Sequence, residues 1–388
     1  IELFCTTMPK AFSMYDILIR LRNTVIHRLY VSLLKPFFFA RDPERVHDKM
    51  IRLGVKLGNS RVGRRFTRML FSYKNKALHQ EILGIHFENP IGLSAGFDKN
   101  GELTDILPEV GFGFAEIGSV TGIPCAGNEG TRLWRLPLSR GLVVYYGLKN
   151  DGADSIAGRL LKKDFRIPFG MSVASTNCEA NVDIQNAITD MVHAFKTMEP
   201  CSAYITVNVS CPNTQTGQPF LVPEHLDKLL CAIDAIPTKK PIFIKLSPDT
   251  EIVTLDRLLE IARVHRVHGI ICSNLTKDRD RTPICDTMVP AVGGISGKVV
   301  QDRADKLLAY IYEREGSRFV LVGCGGVFSA EDAYHKIRSG ASLVQMVTGM
   351  VFEGPQVISA INQRLAQLLR RDGFISVSQA VGANYRHE

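Results

Sequence analysis

The stretch AYITVNVSCPNT (203–214) is built in two halves. Ala203 to Val209 is a largely apolar run of strand length, and Ser210 to Thr214 is a polar turn carrying a cysteine, a proline and an asparagine. A short apolar run bounded by turn residues reads as a strand buried on both faces. The same unit recurs outward from it in both directions. Strand candidates lie at 90–95, 114–118, 168–173, 204–209, 241–246, 269–273, 319–323 and 343–347. Polar or glycine-rich residues follow or close them: SAGFDKNG, GSVTG, NVSCPNT, KLSPD, SNLTKD, GCGG and VTGM. Helical periodicity lies between most of them, at 183–199, 223–235, 253–266, 299–315 and 329–338. Eight strands alternating with helices predict an α/β fold, a (β/α)8 TIM barrel over residues 80–388. In that fold chemistry sits where strands end and loops begin, which is where the polar signals fall.

Residues 1–79 read differently. The first 80 residues hold 16 Lys/Arg against 5 Asp/Glu, while the rest of the chain holds 31 against 34. Met14, Leu18, Leu21, Val25, Leu29 and Leu33 recur at helical spacing, and Pro36 in KPFFFARDPE is expected to end that helix. A second helix is expected from about Pro43 to Lys56, with Asp42 as N-cap and Pro43 at its first position. The result is a basic helical hairpin ahead of the barrel. It either packs on the barrel or lays its apolar side into a membrane interface. Basic residues interleaved with Leu, Ile and Phe fit a phospholipid surface better than nucleic acid. No 18-residue uncharged apolar run occurs, which argues against a spanning helix. Arg20, Arg22, Arg28 and Lys35 interrupt the early apolar stretch, so it does not read as a secretory signal.

With 45% hydrophobic and 22% charged residues the chain has the composition of an ordinary globular protein with a sizeable core. Nine cysteines are irregularly spaced, with no CxxC and no Cys/His cluster of zinc spacing, so they read as free thiols and no metal is expected.

Several strand-end residues could carry chemistry. GGISG (293–297) precedes a helix and GCGG (323–326) follows the seventh strand, with Thr348 after the eighth. That placement matches the phosphate site of TIM barrels, although glycines also serve plain turns. Lys99 and Lys245 stand at strand ends, either snorkelling or paired, or stabilising the negative charge of a reduced flavin. Asn208, Asn213 and Asn274 either cap loops or converge on a planar ligand with alternating N–H and C=O groups, such as a pyrimidine. Cys211, between two of those amides, is an inert small side chain, a general base or a covalent nucleophile. The other eight cysteines read as inert.

Taken together, NPIGLSAGFDKNGE (89–102), GFGFAEIGSVT (111–121), NVSCPNT (208–214), IKLSPD (244–249), GGISGK (293–298) and GASLVQ (340–345) are specific motifs. They resemble those of the dihydroorotate dehydrogenase family, and the likeness runs from DPERVH (42–47) to GASLVQMVTG (340–349). The hairpin with DPERVH looks like the membrane-associated, quinone-using class, where it forms the mouth of a tunnel leading quinone to FMN. Carried over by motif, the resemblance implies FMN contacts at Ala95, Gly96, Ser119, Asn208, Lys245, Ser273, Gly297, Gly326 and Thr348. It implies substrate contacts at Lys99, Asn208, Asn213 and Asn274, the catalytic base at Cys211, and positions beside the quinone tunnel at His47 and Arg135.

The chain also departs from the pattern. The quinone class usually has serine where Cys211 stands, and cysteine there is typical of the soluble class. Val144 replaces an asparagine that grips orotate, Leu275 replaces a threonine, and Ser172 replaces an asparagine that contacts FMN. The expectation is therefore FMN-dependent oxidation of dihydroorotate to orotate, in pyrimidine biosynthesis, with electrons passed to a quinone at a bacterial or mitochondrial inner membrane. The alternatives are a flavin oxidoreductase of the same family acting on another cyclic amide or imide, and a non-catalytic, membrane-docked flavin-binding protein.

Overall fold

The computed structural model describes residues 14–215 and 217–386; Cys5 lies outside them. Eight parallel strands close into a barrel. They are β3 (Ile91–Leu93), β4 (Phe114–Val120), β7 (Phe169–Val173), β8 (Tyr204–Asn208), β9 (Ile242–Leu246), β10 (Gly269–Cys272), β12 (Val320–Cys324) and β13 (Ala341–Met346), joined in that order around the ring. Every residue of β7 and β9 is buried, as expected for strands covered by side chains inside and helices outside. A hairpin of β1 (Gln80–Ile82) and β2 (Ile85–Phe87) plugs the amino end. There Phe87 meets Phe114 edge-on, ring centres 5.6 Å apart. Gly92 makes room for that pair, since a Cβ on it would lie 2.3 Å from the Phe114 ring.

The helices that follow the four N-terminal ones are α5 (Leu107–Val110), α6 (Ala153–Leu160), α7 (Ile184–Met198), α8 (Pro223–Asp234), α9 (Ile252–Val264), α10 (Gln301–Glu315), α11 (Ala330–Arg338), α12 (Thr348–Glu353) and α13 (Val357–Arg371). Over the carboxyl end of the barrel lies a small antiparallel sheet of β5 (Leu133–Leu136), β6 (Gly141–Val144) and β11 (Gly294–Gly297). The sequence did not announce this lid. Its strands are four residues each, and GGISG reads as a turn although it pairs with β6.

The N-terminal region holds more than a hairpin. It comprises α1 (Met14–Leu29), α2 (Lys35–Phe39), α3 (Pro43–Gly58) and α4 (Arg61–Phe71). Pro36 does not end the first helix. A π-helical turn at Tyr30–Leu34 precedes α2, and Pro36 falls in the first turn of α2, where its missing N–H costs no bond. The chain turns instead after Phe39. Asp42 caps α3 as expected, accepting from the Arg45 N–H at 2.8 Å, with Pro43 beside it. The unanticipated α4 is capped by Ser60 and lies tight on α3: a Cβ on Gly63 would stand 2.6 Å from the Leu57 carbonyl oxygen.

The apolar face read on α1 and the π-helical turn after it points away from the protein. Met14, Leu18, Leu21, Val25, Leu29 and Leu33 are all largely exposed, from 48% at Val25 to 78% at Met14. The opposite face does the packing. Ile19 and Asn23 are buried, and Asn23 and Arg22 both donate to the Ser359 hydroxyl on α13, Arg22 at 2.6 Å. On α4 the residues Val62, Phe66 and Met69 are likewise exposed.

Candidate active site

The strand ends open into one cavity of about 650 Å³. Residues just after β3 supply Ala95, Gly96 and Lys99, β4 supplies Ser119, and β8 with its loop supplies Asn208, Cys211 and Asn213. Lys245 comes from β9, and Ser273 and Asn274 follow β10. Gly297 ends β11, Gly326 follows β12, and Thr348 opens α12. All of these line the cavity. Away from the barrel it continues between α2, α3 and α4, past His47 and Arg135, along Phe38, Met50, Leu53, Phe66 and Leu70. The fold thus brings all the cofactor, substrate, base and tunnel residues expected from the sequence to one space. It has a polar end in the barrel and an apolar end among the N-terminal helices.

At the polar end the amides form a chain. Asn274 Nδ2 donates to Asn208 Oδ1 at 3.2 Å, Asn208 Nδ2 donates to the Ser119 hydroxyl at 2.8 Å, and Ser119 meets Ser172 at 2.7 Å. Asn213 donates to the Val144 carbonyl at 2.8 Å, and its own Oδ1 is buried without a partner among the described residues. Lys245 is 5% exposed and donates to the Ser94 hydroxyl at 3.2 Å, with no carboxylate paired to it among the described residues. A buried ammonium without a counter-charge suits an anionic group. Gly96 has φ +106°, and a Cβ there would meet no protein atom within 4 Å, so a side chain at that position would take up cavity space. The buried Lys245 cation and the glycine cradle fit an anionic, hydrogen-bonding cofactor, and the Asn213 oxygen is left for a ligand beside it.

The titratable groups are shifted in different directions. Burial pushes the Cys211 thiol up to about 11, against the pull of the Asn213 backbone N–H and the Lys277 and Lys245 charges. Burial pulls the Lys99 amine down to about 8, with Lys149 adding to the effect and the Asp48 carboxylate opposing it. Its Nζ sits 3.9 Å from the centre of the Tyr146 ring. Burial, helped by Lys99, takes His47 down to about 4, so its ring is neutral at pH 7 and Nε2–H donates to the Phe97 carbonyl at 2.9 Å. Arg135 donates to the Arg41 carbonyl at 2.8 Å and lies over the Phe39 ring, tying the end of α2 to the lid. Glu44 on α3 pairs with Arg132, next to the lid strand β5, in the same sense.

Sequence reading passed over Ser94, Tyr146 and Gln345. Ser94, inside the SAGFDKNG signal, holds Lys245. The Tyr146 hydroxyl and Gln345 Oε1, in residues of the cavity wall, are buried without partners among the described residues. Nothing in a one-dimensional pattern separates these from core residues. The three departures fall in different places. Val144 and Leu275 line the cavity with apolar side chains, whereas Ser172 stands behind Ser119 and does not.

Residues 77–369 match the family model described as dihydroorotate dehydrogenase. The chain belongs to the dihydroorotate dehydrogenase family. Relatives named dihydroorotate dehydrogenase (quinone) include one from Natronomonas pharaonis, 36% identical over 356 residues, covering 91% of this chain and 99% of that one. Another, from Trichodesmium erythraeum, is 32% identical over 381 residues, covering 91% of this chain and 98% of that one. Among solved structures, that of DHODH from Eimeria tenella in complex with ferulenol superposes with a TM-score of 0.80 at 25% identity, covering 89% of this chain and 96% of that one. The family match takes in all eight barrel strands, and each of these two relatives covers 91% of the chain.

Proposed function

We propose that this dihydroorotate dehydrogenase family member oxidises dihydroorotate to orotate with FMN and passes the electrons to a quinone, a step of pyrimidine biosynthesis. The observation that carries the reading is the single cavity, which joins Cys211 and Lys245 at the barrel rim to an apolar passage between α2, α3 and α4. The chemistry that FMN supplies when bound is acceptance of a hydride from carbon and release of electrons to the quinone. Ala95, Gly96, Ser119, Asn208, Lys245, Ser273, Gly297, Gly326 and Thr348 would hold it, with Lys245 balancing negative charge on the ring and the late glycines and Thr348 taking the phosphate. Lys99 would pair with the substrate's carboxylate. Asn208, Asn213 and Asn274 would take its amide and imide edges, and the Cys211 sulfur would remove one ring proton as the hydride leaves the neighbouring carbon. His47 and Arg135 would flank the quinone.

The N-terminal residues 1–79 would serve as the docking element, with the barrel of residues 80–388 as the catalytic domain. The exposed stripe on α1 and the exposed Val62, Phe66 and Met69 on α4 support a peripheral seat on an inner membrane, next to arginines 61, 64, 65 and 68. No described helix is long and apolar enough to cross a membrane.

Val144 and Leu275 favour a second reading, in which the substrate is another cyclic amide or imide, because neither offers a polar side chain to orotate. Anaerobic mixing of the yellow protein with dihydroorotate decides between them. Bleaching of the flavin band within the turnover time is the expected result. A stable yellow protein that bleaches with a different dihydropyrimidine would favour the second reading.

A further inference from the structure

Three potential metal ligands meet on the outer face of the barrel although the sequence spaces them without any metal motif. Asp227 and Cys231 stand four residues apart on α8 and so share one helix face. His265 is the C-cap of α9, which packs beside α8. A carboxylate oxygen, the thiol sulfur and an imidazole nitrogen from these three all lie within 4.8 Å of one another. The Asp227 Oδ1 to His265 Nε2 distance is 3.1 Å. Two ligands bound at about 2.0–2.1 Å to a tetrahedral zinc are separated by about 3.3 Å, so this pair already has near-ligating geometry. The other imidazole nitrogen, Nδ1, lies 2.7 Å from Asp234 Oδ2, and the Arg266 side chain holds that carboxylate from behind at 3.2 Å. A carboxylate on the far nitrogen is the arrangement that fixes ring orientation in histidine–metal sites.

We propose that Asp227, Cys231 and His265 form a zinc site with a fourth position open to water, and that Asp234 orients the histidine. The ligand set selects the ion. Imidazole with thiolate and one carboxylate suits zinc, whereas magnesium and calcium want oxygen alone. The imidazole side chain is 8% exposed and held by its neighbours, while the Asp227 side chain is 51% exposed, so an ion has access from solution. Binding would send the Cys231 thiol proton to solvent and leave the imidazole neutral. The C-terminal ends of α8 and α9 lead into the amino ends of β9 and β10, so the site lies at the opposite end of the barrel from Cys211. A metal there staples two neighbouring βα units and takes no part in the flavin chemistry.

The rival arrangement is an imidazolium held between the two carboxylates, which has no use for the thiol. The test titrates the full-length protein, freed of metal by a chelator, with Co²⁺ and then with Zn²⁺. Expected are one equivalent of Co²⁺ with thiolate charge-transfer and ligand-field bands, displacement by Zn²⁺, and a Zn²⁺-dependent rise in Tm. Cys231→Ser should remove the charge-transfer band and weaken Zn²⁺ binding at least tenfold, and Asp234→Asn should keep the band while weakening binding by about 10–100-fold. Flavin reduction should be unchanged in both variants, which also reports that they are folded. A parent protein with no thiolate–cobalt band, or a Cys231→Ser protein with the parent's affinity, would overturn the proposal in favour of the imidazolium.

Discussion

The two ends of the cavity solve opposite problems. The barrel end is fixed by hydrogen bonds: Asn274 to Asn208 to Ser119 to Ser172, and Lys245 to Ser94. Most polar groups there are positioned by a neighbour, and Asn213 Oδ1, the Tyr146 hydroxyl and Gln345 Oε1, unpartnered among the described residues, belong to cavity-lining residues. The helical end has almost no such network. Its walls are Phe, Leu and Met side chains on α2, α3 and α4, tied to the lid by Arg135 and Glu44. A site that must hold atoms in register is built from directional bonds on rigid strand ends. A passage for a lipid-soluble molecule needs only apolar surface and room.

The sharpest way to break this contrast is at Cys211. Cys211→Ala should slow flavin reduction by dihydroorotate by at least about 100-fold, the usual worth of a general base, while the protein stays yellow. Stopped-flow reduction at the parent's rate would remove Cys211 from the chemistry and leave the polar end as a binding site only.

The helical end should fail differently. Replacing Leu18, Leu21 and Val25 together by serine removes three exposed apolar side chains, each worth about 1.5–3 kcal/mol when fully buried in an apolar phase. Binding to anionic liposomes and turnover with a membrane-dissolved quinone should fall at least tenfold, with flavin reduction unchanged. Equal loss in both half-reactions would show that α1 supports the barrel and not the acceptor.

The pH dependence separates two groups at the polar end. With Cys211 as the proposed base the thiolate would be its active form, and burial raises the thiol pKa to about 11, so the limiting rate of flavin reduction should rise with pH across the neutral and alkaline range. Lys99 is charged below about 8, so affinity for an anionic substrate should decline as pH passes that value. A rate that is flat between pH 7 and 10 would contradict the first assignment, and a pH-independent affinity would contradict the second.

The last test is at Val144. Val144→Asn restores a polar group to the cavity wall and should tighten dihydroorotate binding by about 1–3 kcal/mol if a ligand group there is unpaired. No change in KM would place that edge of the substrate elsewhere.

Much of this was legible from the chain alone. The eight barrel strands are short, apolar and closed by polar turns, and each falls within two residues or so of its expected place. Asp42 and Pro43 marked the start of α3 for the same local reason. What the sequence hid is non-local. The lid strands are too short and too glycine-rich to carry a period. In α4, RVGRRFTRMLF mixes arginines with two apolar faces, so no single stripe stands out. Pro36 was misleading because a π-turn resets the helix just before it. The bond from Lys245 to Ser94 joins residues that only the closed barrel brings near each other, and the meeting of His265 with Cys231 needs the packing of α9 on α8.

The outward face of α1 also governs how the protein behaves on the bench. Six large apolar side chains in a row, turned to water, will find one another when no bilayer is offered. In plain buffer the particle size would then report that stickiness and say little about subunit architecture. A mild detergent that masks the row should collapse the apparent assemblies to the true particle without touching the barrel, so mass measurements on this chain mean most when taken on both sides of that addition.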